Sequence, residues 1–97
     1  DYHGAYRALV DLYKEGKSIE EICKERNLVK ATIEGHLAHY VFTGEINIDD
    51  MVSKQKQQQI KDAVLIHGSL IHKTLIDNLP KDVSYGEIKM VLAAEKK

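Results

Sequence analysis

The sequence predicts an all-α fold, on three observations. Apolar residues recur at three- and four-residue spacing through most of the chain, the period of a helix that packs on one side. Two Ser-x-x-Glu strings, Ser18 to Glu21 and Ser84 to Glu87, carry the reciprocal pattern that opens helices. Six Gly and one Pro in 97 residues, with no Trp and one Phe, are too few turn residues for a sandwich or a barrel. The length fits a single helical domain, residues 1–97, and excludes a large enzyme. No apolar run approaches the length of a membrane span.

Tyr2, Ala5, Tyr6, Leu9 and Tyr13 fall on one stripe of a first helix, Tyr2 to Glu15, which Gly16 stops. Ser18 caps a short second helix from Ile19, with Ile22 and Cys23 inward, and Asn27 ends it because asparagine tolerates positive φ. Leu28 is expected to pin the turn that follows. Ile33, Leu37, Tyr40 and Val41 define the buried stripe of a third helix that ends at Gly44. Glu45 to Asp50 fits either an extended link or the lead into a helical turn over Asp49 to Val52. Ser53 caps a fourth helix with an inner stripe of Ile60, Ala63, Val64 and His67, broken by Gly68 and Ser69. Leu70, Ile71, Thr74, Leu75 and Leu79 make a fifth, which ends before Pro80. Ser84 opens the last helix, with Tyr85, Ile88, Val91 and Leu92 inward and Lys96 and Lys97 at its negative end. The expected architecture is a helix-turn-helix tri-helical unit, residues 1–44, followed by about three further packed helices within residues 53–95.

The net charge of -1 is unevenly divided: residues 1–50 carry six Lys or Arg against ten Asp or Glu, and residues 51–97 carry eight against five. Affinity for a nucleic-acid backbone comes from clustered cations, so only the second half has a surplus to offer. The lone Cys23 can form no internal disulfide and no charged-then-apolar signal opens the chain, which points to a cytoplasmic setting. A start at Asp1, with helical spacing under way from Tyr2, reads as a fragment of a larger chain. His36 and His39 share a side at three-residue spacing, but nothing completes a four-ligand zinc set. Cys23 has no partnering base and no Gly-rich phosphate loop occurs. No catalytic residue, metal site or cofactor is therefore expected in this fragment.

Ser18 to Leu37 has the parts of a DNA-binding helix-turn-helix: a small residue, Cys23, where two helices cross, and Ile33 and Leu37 to fix the third helix. Setting Ile33 inward turns Ala31, Thr32, Glu34, Gly35, Ala38 and His39 outward, toward a DNA groove. Bases are read by Arg, Lys, Asn and Gln, whereas this face offers three small residues and an acid, so contact is expected to be weak and directed by DNA structure. Gly35 in mid-helix costs about 1 kcal/mol relative to Ala, which points to a close approach by phosphate, protein or another helix. The candidate DNA contacts are Lys30, Thr32, Gly35 and His39, with Lys54 and Lys56 as auxiliary phosphate contacts.

Glu15-Gly16-Lys17-Ser18-Ile19-Glu20-Glu21-Ile22, Lys24-Glu25-Arg26-Asn27-Leu28, Thr32-Ile33-Glu34-Gly35-His36-Leu37, Thr43-Gly44-Glu45-Ile46 and Ser84-Tyr85-Gly86-Glu87-Ile88 together resemble the helix-turn-helix domain at the C-terminal end of bacterial RecQ-type DNA helicases. The likeness covers nearly the whole chain. It implies a non-catalytic accessory module of an ATP-dependent helicase active in DNA repair or recombination, in the bacterial cytoplasm at the nucleoid. ATP and a divalent metal would belong to the motor of the parent chain, and DNA, a protein partner or the helicase core would be the contacts of this module. Ala31 stands where similar sequences often offer a hydroxyl. Thr32 to Leu37 is also similar to the output domains of response-regulator transcription factors, although three core-bearing segments beyond that unit favour the helicase reading. The negative first half favours a third reading, a protein-docking module.

Overall fold

The computed structural model describes residues 2–96, and among them it contains seven helices and no strand. The side chains of Tyr2, His3 and Ala5 lie outside the described residues, as do Asp1 and Lys97, and with them the places expected for Tyr2, Ala5 and Lys97. Helix α1 (Tyr2–Lys14) ends in two backbone bonds that clasp a left-handed glycine. Gly16, at φ 97°, donates its N–H to Tyr13 O (3.0 Å), and Lys17 donates to Leu12 O (3.3 Å). A residue without Cβ meets no steric penalty in this conformation, so the helix stops here.

Helix α2 (Ile19–Arg26) opens on the expected reciprocal cap: Glu21 N–H donates to Ser18 Oγ, and Ser18 N–H donates to the Glu21 carboxylate. Asn27 closes it at φ 54°, and the Leu28 N–H reaches back to Cys23 O (3.1 Å). The turn is thus held by backbone groups. Leu28 is 37% exposed and does not pin it; the apolar anchor of this corner is Ile22, which is fully buried.

Helix α3 (Lys30–Thr43) runs through the middle of the molecule, with Ile33, Leu37, Tyr40 and Val41 buried as expected and contacts to both α1 and α2. Its other flank is covered by the last helix of the chain, Tyr85–Glu95, in the most extensive helix contact of the structure. The outward placing of Glu34 and Ala38 is therefore corrected: they are 4% and 8% exposed, beneath that helix. The reason is steric. Gly86 passes so close to Glu34 that a Cβ built on it would stand 2.5 Å from Glu34 Cβ, an approach only glycine permits. The small residues that deprive this face of base-reading groups also let a helix lie along it.

The stretch after Gly44 resolves into a single helical turn, α4 (Ile48–Met51), capped by Asn47, whose Oδ1 accepts from Asp49 N–H (3.0 Å). Ser53 caps α5 (Lys54–His67), which buries Ile60 and Ala63; His67 faces solvent instead of the core. Helix α6 (His72–Asp77) is shorter than expected. Gly68 at φ 79° turns the chain out of α5, leaving Leu70 at 97% exposure and Ile71 outside the core, so that only Leu75 of this helix is fully buried. Helix α7 (Tyr85–Glu95) buries Ile88 and Val91, and Met90 rather than Tyr85 completes its inner face. Leu65, Ile66, Leu70 and Ile71 consequently face water at the α5–α6 corner. Among the described residues no helix is long and apolar enough to cross a membrane.

Candidate nucleic-acid interface

With one flank of α3 buried on α1 and α2 and another under α7, a narrow stripe remains open: Ala31, Thr32, Gly35, His39 and Phe42. Their positions follow from a 3.6-residue turn that places residues 31, 35, 39 and 42 on one side. Two adjoining grooves run along the stripe and share Lys89 of α7. The first, about 280 Å³, is lined by Tyr6, Ala31, Thr32, Gly35, His36 and Lys89. The second, about 490 Å³, is lined by Ala38, His39, Phe42, His72, Lys89, Leu92, Ala93 and Lys96. No described carboxylate lines either groove. By contrast, the cleft beside α4 is lined by Asp49 and Glu95, that between α5 and α7 by Glu95, and that at the α6–α7 loop by Asp77.

Ion pairing occupies several of the cations outside these grooves. Arg7 and Lys14 both bind Glu45 (2.7 Å each), Lys17 meets Glu25, Lys61 meets Glu95 and Lys73 meets Asp77. Of the two auxiliary contacts expected on α5, Lys54 lies 3.0 Å from Asp49. Lys56 is more firmly engaged: its Nζ donates to Asp82 O (2.9 Å) and to the Glu87 carboxylate (3.1 Å), tying α5 to the start of α7. Neither belongs to the α3 grooves. Lys30 at the head of α3, Lys89 on α7 and Lys96 at its C-cap form no ion pair among the described residues, and neither do Lys24, Arg26 and Lys81 elsewhere. Thr32, Gly35 and His39 lie on the open stripe with Lys30 at its end, so four of the six expected contacts share one surface.

Sequence reasoning missed Lys89, Lys96 and Phe42. Lys89 and Lys96 are seven residues apart, hence on one side of α7, but nothing in a single chain says that this side borders α3. Among the described residues nothing comes close enough to Gly35 to require a glycine: the nearest group to a built Cβ is Lys89 Nζ, at 4.0 Å, so the close approach expected there is not made by another helix of this chain.

Electrostatics beneath the stripe are set by burial. Burial holds the Glu34 carboxyl above its ordinary range, opposed by the attraction of Lys30 and reinforced by repulsion from Glu87. Burial also lowers His36, whose ring lies 4.2 Å from that of Tyr6, favouring its neutral form. The open surface consequently owes its positive character to lysines. Away from it, hydrogen bonds from Arg7 and Lys14 pull Glu45 down to about 2, fastening α1 to the segment after α3.

A family model described as a helix-turn-helix domain matches residues 5–92. The chain belongs to this helix-turn-helix domain family. Comparison with curated proteins finds no match, and comparison with solved structures finds none. The matched span takes in all of α2 through α6 and most of α1 and α7, so the helices that cover α3 lie within the helix-turn-helix domain. Membership implies DNA binding, the business of a helix-turn-helix whose second helix meets the duplex. Among the described residues no cluster of three His, Cys, Asp or Glu is placed to hold a metal ion.

Proposed function

We propose that this helix-turn-helix domain is a non-catalytic DNA-binding accessory module at the C-terminal end of a RecQ-type ATP-dependent DNA helicase of a bacterial cytoplasm, engaged in repair or recombination. The helicase parentage is supported by the sequence resemblance; the ATP and divalent metal of such an enzyme belong to its motor. The DNA contact is supported by one observation above all: the open stripe of α3 is bordered by unpaired lysines and by no described carboxylate. Lys30, Thr32, Gly35 and His39 are the contacts on α3, and Lys89 joins them from α7. Lys56, its side chain 24% exposed and held by Asp82 and Glu87, serves the fold, whereas Lys54, 80% exposed beside Asp49, keeps its place as an auxiliary phosphate contact. The absence of Arg, Asn and Gln from the stripe makes the contact weak and structure-directed.

Fluorescence anisotropy on duplex, forked and single-stranded DNA across a salt series tests this. Binding that weakens steeply with salt, and a salt slope reduced by about 0.9 in Lys30→Gln on duplex, is the expected result. No binding to any of the three at low salt would discard the reading. A second reading, docking on the helicase core, draws on the four aliphatic side chains exposed at the α5–α6 corner.

A further inference from the structure

The shape of the interface narrows the kind of DNA it takes. The major groove is about 12 Å wide and a helix with its side chains about 10–12 Å across, so a lone recognition helix fits. Here α7 lies along α3 for much of its length, and two helices packed at the usual spacing of about 8–10 Å present a front of roughly 20 Å. Side by side the two are too broad to enter a groove as a lone recognition helix does, which leaves a duplex chiefly backbone contact. The surface between them is a shallow, open groove lined by Ala38, Leu92 and Ala93 among others. A flexible single strand can lie in such a groove.

The groove also has the parts that hold one. Phe42, the only Phe of the chain, is 46% exposed at its wall and makes no ring contact among the described residues. Lys89 on the facing helix and Lys96 at its C-cap are about two turns apart, roughly 10 Å along the axis. An exposed aromatic face beside uncompensated ammonium groups, with no carboxylate between them, is the combination that binds single strands without reading sequence: the base stacks and the phosphates pair. Resting on the DNA-binding reading above, we propose that the larger groove is a single-stranded DNA site, in which an unpaired base stacks on Phe42 while Lys89 and Lys96 hold the adjacent phosphates.

The test compares labelled oligo(dT) with a blunt duplex of equal length, using the wild-type chain, Phe42→Ala, Phe42→Trp, Lys89→Gln and Lys96→Gln, with circular dichroism confirming the helix content of each. Oligo(dT) should bind more tightly than duplex. Phe42→Ala should weaken oligo(dT) binding about 5- to 150-fold, the range for loss of one base stack, with duplex binding changed less than about twofold. Because the chain has no Trp, Phe42→Trp provides a single indole, excitable apart from the five Tyr, whose fluorescence oligo(dT) should quench. Each lysine variant should reduce the single-strand salt slope by about 0.7. Preference for duplex, or unchanged oligo(dT) affinity in Phe42→Ala without quenching in Phe42→Trp, would overturn the single-strand site while leaving DNA binding in place. No binding to either DNA at low salt would overturn both.

Discussion

Gly86→Ala probes the contact on which the interface is built. In the wild-type chain the backbone of α7 passes directly over the Glu34 side chain, and an added methyl would stand 2.5 Å from both Cβ and Cδ of Glu34. Carbon atoms in comfortable contact are about 3.5–4.0 Å apart, so the overlap exceeds an ångström. A rotation about χ1 can move Cδ but not Cβ, which is fixed to the backbone of α3; relief therefore requires α7 to lift. Overpacking of this kind costs about 1–3 kcal/mol, offset by up to about 1 kcal/mol from the better helix propensity of Ala. A clash with a Cβ that cannot swing aside belongs to the upper part of the overpacking range, about 2–3 kcal/mol, so a net loss of about 1–2 kcal/mol remains and lowers the midpoint of a domain this size by roughly 4–16 °C. Thermal denaturation followed by circular dichroism measures it, and a double-mutant cycle sharpens it. Glu34→Ala should rescue Gly86→Ala only partly, because the Cβ remains, whereas Glu34→Gly should couple to it strongly. An unchanged or raised midpoint in Gly86→Ala would refute the close packing of α3 on α7.

Gly35→Ala, one residue from Glu34, should have the opposite sign: nothing lies nearer than Lys89 Nζ at 4.0 Å, so the variant should gain up to about 1 kcal/mol in denaturant unfolding. Gly35→Glu should instead place a carboxylate against Lys89 and weaken DNA binding in the anisotropy assay with helix content kept. Glu34→Gln tests the buried carboxyl. Burial raises its folded-state pKa above the ordinary 4.5, so the folded chain holds this proton more tightly than the unfolded one, and the ionised form at neutral pH is the unfavourable one. Glu34→Gln should therefore be more stable than wild type at pH 7. The gap should close as pH falls through the raised pKa toward 4.5; thermal midpoints that show no gap at pH 7, or one that widens on acidification, would contradict it.

The features legible in the sequence are those settled within a few residues. Ser18 with Glu21 and Ser84 with Glu87 form their caps because each partner is one turn away, and Gly16, Asn27 and Gly44 end helices by their own backbone freedom. The buried stripe of Ile33, Leu37 and Val41 followed from periodicity alone. What stayed hidden depends on residues far apart in the chain. Glu34 reads as a solvent residue until Gly86 makes room over it, and Lys56 reads as a free cation until Asp82 and Glu87 arrive from the other end. Leu70 and Ile71 read as core, and only the turn at Gly68 puts them in water. The open stripe of α3 was half visible: Thr32, Gly35 and His39 were placed by helical geometry, whereas Lys89 and Lys96 became part of the surface through a helix pairing that no local pattern encodes.

The chain passes from the first three helices to the rest through an unusually small part, the single turn α4. A single turn such as α4 cannot repay its own nucleation, and what steadies it is the buried amide of Gln57, whose Nε2 donates at once to Asp49 Oδ1 (2.9 Å) and Val52 O (2.8 Å). An amide has no proton to lose or gain in ordinary buffers, and this one is hidden from mobile ions. The bond to Val52 O is thus indifferent to the ionic strength that governs surface lysines, whereas Asp49, half-exposed and paired with Lys54, ties the other bond to the charges outside.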